Sequence, residues 1–168
     1  MGFATSVPKL GTDFTKTYVD GKFQHTLGDE IIDSAGTTYK FVRFTAAKTK
    51  GLIYMIDHHF TLGSASTTAL TSTAPFGYGV PQTDLTAPNS DQTYSYGFVA
   101  IKGPMVLLDV TLPSADIELY TSSITGITQS NVGGGKAIDG LKFTSAATTV
   151  SAIRNAFSYL PLGMRTDA

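Results

Sequence analysis

Alternation of apolar and polar residues predicts β-strands along most of the chain after residue 29. Asp33-Ser34-Ala35-Gly36 is typical of a turn, and a strand is predicted over 37–45 directly after it. A second strand is predicted over 52–60, where the first half is apolar on both faces. Residues 61–76 are rich in Ser, Thr and Ala without a regular pattern, and they are predicted to form a long surface loop.

The clearest alternation lies between residues 94 and 102, after a short extended segment at 77–82 and a polar loop at 83–92. Its aromatic residues share one face and its β-branched residues share the other: Tyr94, Tyr96 and Phe98 against Val99 and Ile101. Gly97 lies inside this strand, where a glycine marks a bulge or a ring packed over the backbone. Gly103-Pro104 is predicted to end the strand, and another strand is predicted over 105–112.

Shorter extended segments are predicted in the last third of the chain, at 116–121, 126–128 and 137–144. The apolar spacing between residues 148 and 160 fits both a helix and a strand, and a strand is preferred there. Strands recurring at short, regular intervals are typical of barrels and sandwiches. The sequence therefore predicts an all-β fold with a small barrel or sandwich-like body.

The first 28 residues lack strand alternation and are interrupted by glycines and Pro8. Large apolar residues nevertheless recur in them, whereas disordered tails contain few aromatics. Two interpretations stay open, a floppy terminus and an extended arm that docks on a neighbouring subunit, and the arm is slightly favoured. The predicted organisation is an N-terminal arm over 1–28 and a β-rich body over 29–168. The predicted contact residues of the arm are Phe3, Val7, Leu10, Phe14, Tyr18 and Phe23.

Composition narrows the classes of function. Charged residues make up 15% of the chain and the formal net charge is −1, which disfavours nucleic-acid binding because that requires a clustered basic surface. The absence of cysteine excludes disulfides, thiolate catalysis and Cys-ligated zinc. The start of the chain has no apolar run typical of a signal peptide, and no run is long enough for a membrane helix. A soluble compartment is therefore expected.

Candidate chemistry is sparse. Asp57-His58-His59 is the only metal-like cluster, but in a strand the two histidines would point to opposite faces and could not bind one ion together. Four carboxylates could in principle form an acid/base pair, although no motif links two of them: Asp109, Asp116, Glu118 and Asp139. Asn131–Lys136 contains three glycines but lacks the Lys-Ser/Thr pair of a phosphate-binding loop. No catalytic, cofactor-binding or metal-binding residue is predicted, and the protein is not expected to be an enzyme.

Tyr94, Tyr96 and Phe98 permit two interpretations. A row of rings on one face of a strand can be a layer of the core, which is preferred here. The same row could be an exposed platform for sugar stacking or subunit contact, since a tyrosine ring is apolar while its hydroxyl can reach water.

Three segments together resemble capsid decoration (cement) proteins of tailed bacteriophages: Tyr39-Lys40-Phe41-Val42, Gly79-Val80-Pro81-Gln82 and Tyr96–Pro104. Ala137-Ile138-Asp139-Gly140 matches the later hairpin of that group more loosely. Phe98 stands where the group usually has Trp, and the arm is longer than the common outline requires. The resemblance spans roughly residues 30–160.

The resemblance implies a structural virion protein that is made in the host cytoplasm and lies on the outer surface of the assembled head. Its partner would be the major capsid protein, and it would be a homo-oligomer, either a trimer or a dimer, without a cofactor, nucleic acid or membrane. The alternative function is a host-surface or carbohydrate-binding adhesion module of a virion, with Tyr94 and Tyr96 as stacking rings.

Overall fold

The computed structural model describes residues 12–65, 77–108, 118–121, 128–129, 137–144 and 153–158. Within these ranges the chain forms ten β-strands and no helix, which confirms the predicted all-β fold. In chain order the strands are β1 Glu30–Ile32, β2 Thr38–Phe44, β3 Tyr54–Ile56, β4 Leu62–Ala65, β5 Gly77–Gly79, β6 Ser95–Leu108, β7 Glu118–Thr121, β8 Thr128–Gln129, β9 Ala137–Phe143 and β10 Ile153–Ser158.

The strands form two antiparallel sheets. The larger has the order β1-β2-β6-β10-β9-β7-β8, and the smaller has the order β4-β3-β5. At the centre of the larger sheet, β2 pairs with the first half of β6, with Phe41 opposite Phe98 and Val42 opposite Gly97. Both faces of this pair are covered, which explains why its strands are rich in aromatic and β-branched residues.

Single bridges join the two sheets into a closed ring of five strands. Val80, directly after β5, exchanges two backbone hydrogen bonds of 2.9 Å with Ala100 on β6. On the other side, Thr61 before β4 forms a parallel bridge with Arg43, whose N–H donates to the carbonyl of Phe60. The ring therefore runs β2-β6-β5-β3-β4, and an odd number of alternating strands requires one parallel contact. This small barrel agrees with the predicted architecture.

The inside of the ring is an apolar cluster drawn from all of these strands except β5, together with one loop residue. Its members are Val42, Phe44, Tyr54, Ile56, Leu62, Leu85, Val99 and Ile101. Strand β5 contributes Gly79 instead, where an added Cβ would collide with the side chain of Val99. The missing side chain lets β5 approach β6 closely enough to close the ring.

A second apolar cluster covers the opposite face of β2 and β6, with Tyr39, Phe41, Phe98 and Ala100 at its centre. Leu141 on β9 and Ala156 on β10 extend this cluster along the larger sheet. The barrel wall is thus packed on both sides, from within by ring residues and from outside by other parts of the chain.

The predicted end of the central strand at Gly103-Pro104 is wrong, because β6 continues to Leu108. Gly103 has a φ of +87°, so the strand bends there instead of stopping. Its first half pairs with β2 and its second half with β10, where Met105 lies opposite Ala156. The hydroxyl of Thr37 donates to the carbonyl of Pro104 at 2.7 Å and fixes the bend against the β1–β2 turn.

Gly97 was predicted to mark a bulge or a ring over the backbone. The irregularity in the pairing of β2 with β6 falls instead between Thr38 and Tyr39. A Cβ at Gly97 would lie 3.3 Å from Leu85 Cδ2 and 3.7 Å from Phe44 Cε1. The close neighbour is therefore mainly an aliphatic side chain.

Other boundaries differ from the pattern. The predicted strand over 52–60 is wrong beyond Ile56, and the predicted loop over 61–76 is wrong at its start, where β4 lies. Strand β1 was not predicted, because three residues are too short to show alternation. The turn at 33–36, the loop at 83–92 and strands at the positions of β7, β8 and β9 are confirmed, and the ambiguous closing segment contains a strand, β10.

Candidate functional site

Residues 12–28, which we term the strap, lie along the outer face of the barrel instead of extending from it. Tyr18 forms a backbone bridge with Tyr96 on β6, with N–O distances of 2.8 and 2.9 Å. The N–H of Thr86 donates to Thr17 Oγ1 at 3.3 Å. The strap is thus held by backbone hydrogen bonds at its middle, on the edge of β6 that β2 does not use.

Aromatic side chains provide most of the contact between the strap and the barrel. Phe14 stacks on Tyr39 with ring centroids 4.4 Å apart and meets Phe98 edge-on at 5.3 Å. Phe23 lies 4.3 Å from Tyr96 and 5.2 Å from Phe41. We term the surface formed by Tyr39, Phe41, Tyr96 and Phe98 the aromatic face. Each such ring pair contributes about 0.5–1.5 kcal/mol beyond its buried area, so several pairs together hold the strap firmly.

His25 belongs to the same cluster. It is 9% exposed, and its ring lies 4.9 Å from the ring of Phe98 and 5.2 Å from that of Phe41. In the sequence it was only an isolated histidine of the arm. The structure makes it a packed aromatic group on the side of the strap that faces the barrel.

Three of the six predicted contact residues therefore lie against their own chain. Phe14, Tyr18 and Phe23 are half-buried on the aromatic face. Phe3, Val7 and Leu10 lie outside the described residues. The strap shares one apolar cluster with β2 and β6, so residues 12–28 pack as part of the barrel.

The row of rings that starts at Tyr94, just before β6, becomes more buried towards Phe98. Phe98 is fully buried, Tyr96 is half-buried beneath Phe23, and Tyr94 lies under the guanidinium of Arg43, with 4.6 Å between Cζ and the ring centroid. The preferred interpretation as a core layer therefore holds at Phe98 and in part at Tyr96. Tyr94 engages a cation on one of its ring faces.

The Asp57-His58-His59 cluster lies in a turn between β3 and β4, not in the predicted strand. Both histidines are exposed, and their ring centroids are 3.9 Å apart, so they do not point to opposite faces. Asp57 Oδ1 accepts the N–H groups of His59 and Thr61, each at 2.8 Å. Partial burial acts to raise the pKa of Asp57, but these backbone hydrogen bonds hold it below its ordinary value.

Phe60 closes this turn with a φ of +57°, a conformation that glycine usually supplies. The tip of its ring lies close to Gly28, where an added Cβ would be 2.6 Å from Phe60 Cζ. The strained residue thus fixes the end of the strap to the β3–β4 turn.

Within the part of the chain that the structure describes, no group of three or more His, Cys, Asp or Glu residues could hold a metal ion. The four candidate carboxylates and the Asn131–Lys136 segment cannot be placed in a site, since those side chains lie outside what the structure describes. No helix in the described ranges is long and apolar enough to cross a membrane.

Lys48 is a buried polar group that the sequence did not indicate. It is 8% exposed, its Nζ donates to the carbonyl of Gly63 at 2.5 Å, and it lies 5.0 Å from the centroid of the Tyr54 ring. Burial lowers the pKa of this amine. Lysines are common on surfaces, and no motif around Lys48 could have revealed its position.

No known family model matches this chain, and no curated protein matches it.

Proposed function

We propose that the protein is a structural capsid decoration (cement) protein that binds the outer surface of the assembled phage head and stabilises it. A protein that binds the assembled shell but not free capsid subunits stabilises the shell by mass action alone. The function therefore requires a rigid body and a docking element, and it includes no catalytic step.

One observation carries the proposal: the segments that resemble the decoration group pack together. Tyr39–Val42 lies on β2 directly opposite Gly97–Ala100 on β6, and Val80 of the Gly-Val-Pro-Gln segment bridges to Ala100. Three segments that are distant in sequence thus form one continuous part of the barrel. This placement supports the proposal, because segments that define one family's body are expected to lie in its core.

Gln82, the last residue of that segment, supports the same interpretation. Its Oε1 accepts the N–H of Val106 at 2.7 Å, and its Nε2 donates to the carbonyl of Val80 at 3.2 Å. The glutamine therefore links β5 to the second half of β6. This role indicates that the Gly-Val-Pro-Gln motif stabilises the fold and does not form an active site.

The partner in this proposal is the major capsid protein, and the protein would act as a trimer or dimer on the virion surface. Because Phe14, Tyr18 and Phe23 hold the strap on the barrel, the proposed capsid contacts are Phe3, Val7 and Leu10, which precede the strap in sequence. The adhesion-module alternative is less favoured, since Tyr96 is covered by Phe23 and cannot offer an open ring face on that side.

Replacement of Phe3, Val7 and Leu10 by Ser tests the proposed contacts. We expect the variant to stop co-sedimenting with assembled shells while its thermal unfolding stays within about 0.5 kcal/mol of the wild type. The matched control changes Thr5, Ser6 and Lys9 to Ala in the same segment and should keep shell binding. If the triple Ser variant decorated shells as tightly as the wild type, the proposed contacts would be wrong.

A further inference from the structure

We propose that two copies of this chain exchange their straps, so that the strap of each copy covers the aromatic face of the other. The exchanged form is expected where copies are concentrated, above all on a decorated shell. In that setting the inference rests on the proposed function. In free solution it can be measured independently of any shell.

The strap itself shows what fits the aromatic face. The stacking of Phe14 on Tyr39, the packing of Phe23 on Tyr96 and the backbone bridge of Tyr18 all join the strap to the rest of the chain. A second copy's strap would make each of these contacts unchanged. Closed and exchanged forms therefore differ mainly in the conformation of the hinge and in the entropy of association.

The hinge is a tight turn at the end of the strap. The N–H of Asp29 donates to the carbonyl of Thr26 at 2.9 Å, and the carboxylate of Asp29 accepts the N–H of Thr26 at 2.8 Å. Gly28 closes the turn with a φ of +88°, a conformation that favours glycine. An extended hinge would not need this left-handed conformation, so any strain placed on Gly28 is relieved by exchange.

An exposed apolar residue lies where the two copies would meet. The hinge leads directly into β1, which is an edge strand of the larger sheet. Residues 26–28, which follow the packed ring of His25, can span at most about 11 Å when extended, so the two β1 edges must lie close together. Ile32 on β1 is 50% exposed, and among the described residues it is the large apolar side chain that is left on the surface. Contact between two such edges would cover it.

Concentration decides between the two forms. A dilute monomer favours its own strap, because association costs translational and rotational entropy. Copies fixed side by side on a shell experience effective concentrations of about millimolar, which offsets that cost. Exchange would link neighbouring copies mainly through contacts that the closed monomer already makes.

The absence of cysteine makes a direct test possible. The backbone nitrogen of Thr86 and Oγ1 of Thr17 are 3.3 Å apart, so the two residues are neighbours when the strap is docked, and thiols can be introduced at both positions. The single variants Thr17→Cys and Thr86→Cys are mixed, concentrated in solution or bound to shells, and oxidised. We expect a covalent heterodimer joined between positions 17 and 86, identified by peptide mapping, whose yield increases with concentration. The double variant in one chain is the control that shows that the pair can form a disulfide.

A hinge variant tests whether strain at Gly28 favours exchange. Gly28→Ala strains the closed turn and pushes a Cβ into the Phe60 ring, so we expect it to raise the heterodimer yield about tenfold. Gly36→Ala is the matched control: its φ is +87°, and nothing lies within 4 Å of the added Cβ. Thermal melting of both variants shows whether they fold.

Exchange is overturned if the double variant forms its disulfide only within one chain while the mixed single variants give no heterodimer at any concentration or on shells. A Gly28→Ala variant that folds and yields no more heterodimer than Gly36→Ala also contradicts it. Shell binding without an interchain disulfide would refute exchange and leave the proposed function standing. An interchain disulfide in solution without shell binding would support exchange and refute the proposed function.

Discussion

Single buried groups make the stability of this barrel depend on pH. Tyr78 on β5 is 3% exposed, and burial raises its pKa to about 12. Burial likewise raises the pKa of Tyr39 in the outer cluster. A phenol whose pKa is higher in the folded than in the unfolded chain contributes stability below the unfolded value of 10.0, and this contribution is lost as the pH rises towards the folded value.

We therefore expect Tyr78→Phe to weaken the alkaline loss of stability. Between pH 10 and 12, ionisation of Tyr78 should cost the wild type up to about 2 kcal/mol in free energy of unfolding, and the Phe variant should be spared this part of the loss. Urea unfolding of both proteins at pH 8, 10 and 11.5 measures the difference. An identical pH dependence in the two proteins would show that Tyr78 ionises as easily in the fold as in water.

Lys48 has the opposite effect on the pH dependence of stability. Because burial lowers its pKa below the ordinary value of 10.5, the folded state holds fewer protons than the unfolded state in the interval between the two pKa values. Stability from this site should rise with pH across that interval, and Lys48→Met should remove the rise. Unfolding free energies of both proteins from pH 7 to 10 check this, and a rise that persists in the variant would contradict it.

At the scale of elements, β6 determines the architecture. It pairs with β2 through its first half and with β10 through its second half, and so joins the barrel to the rest of the larger sheet. The bend at Gly103 passes the strand from β2 to β10. An added Cβ there would contact the carbonyl oxygen of Gly36 and lie 3.0 Å from Thr37 Cα, so both the conformation and the space require glycine.

Alanine substitutions at two glycines with the same φ separate the cost of the left-handed conformation from the cost of the steric collision. Gly36→Ala should cost about 1–2 kcal/mol for its left-handed conformation alone. Gly103→Ala carries the same conformational cost and also collides with backbone, and we expect a total loss of about 3 kcal/mol or more. Chemical denaturation of the two variants measures both costs, and equal losses would mean that the contact with Gly36 relaxes freely.

The side chain of Gln82 should be worth about 1–2 kcal/mol, because Gln82→Ala leaves the N–H of Val106 without its acceptor. Gln92→Ala removes the same side chain from the polar loop and should cost less. Denaturant midpoints report the difference. Similar midpoints for the two variants would show that water replaces the glutamine without loss.

The sequence predicted elements well where a run of aromatic and β-branched residues is long, as in β2 and the first half of β6. It failed where a distant partner overrides a local signal. Gly103-Pro104 looks like a stop, but pairing with β10 carries the strand onward. The turn at His58 and His59 was not predicted, because the residue with a positive φ in this turn is Phe60 and not the usual glycine. Lys48 is buried by tertiary packing that no local pattern records.

At the scale of the whole molecule, the strap covers the aromatic face, so the outer surface of β2 and β6 belongs to the hydrophobic core. The sequence showed that residues 14, 18 and 23 need an apolar surface. It could not show whose surface, because the same spacing serves a neighbour or the chain itself. The structure places them on their own barrel, which moves the proposed shell contacts to Phe3, Val7 and Leu10.

Removal of a strap ring should therefore destabilise the barrel. Phe14→Ala loses contacts with Tyr39 and Phe98, and we expect it to lower the free energy of unfolding by about 2–3 kcal/mol for a half-buried ring. Thr15→Ala, at an exposed neighbouring position, is the control and should change little. Thermal unfolding measures both, and an unchanged Phe14→Ala variant would mean that the strap does not support the barrel.

The proposed decoration function is tested most directly by asking whether this protein lies on purified phage heads, imaged by cryo-electron microscopy with symmetry averaging. A decoration protein should give density for the barrel at every equivalent site on the outer surface of the shell. Its absence from the shell, or its presence only at the tail or a single vertex, would contradict a role in capsid decoration.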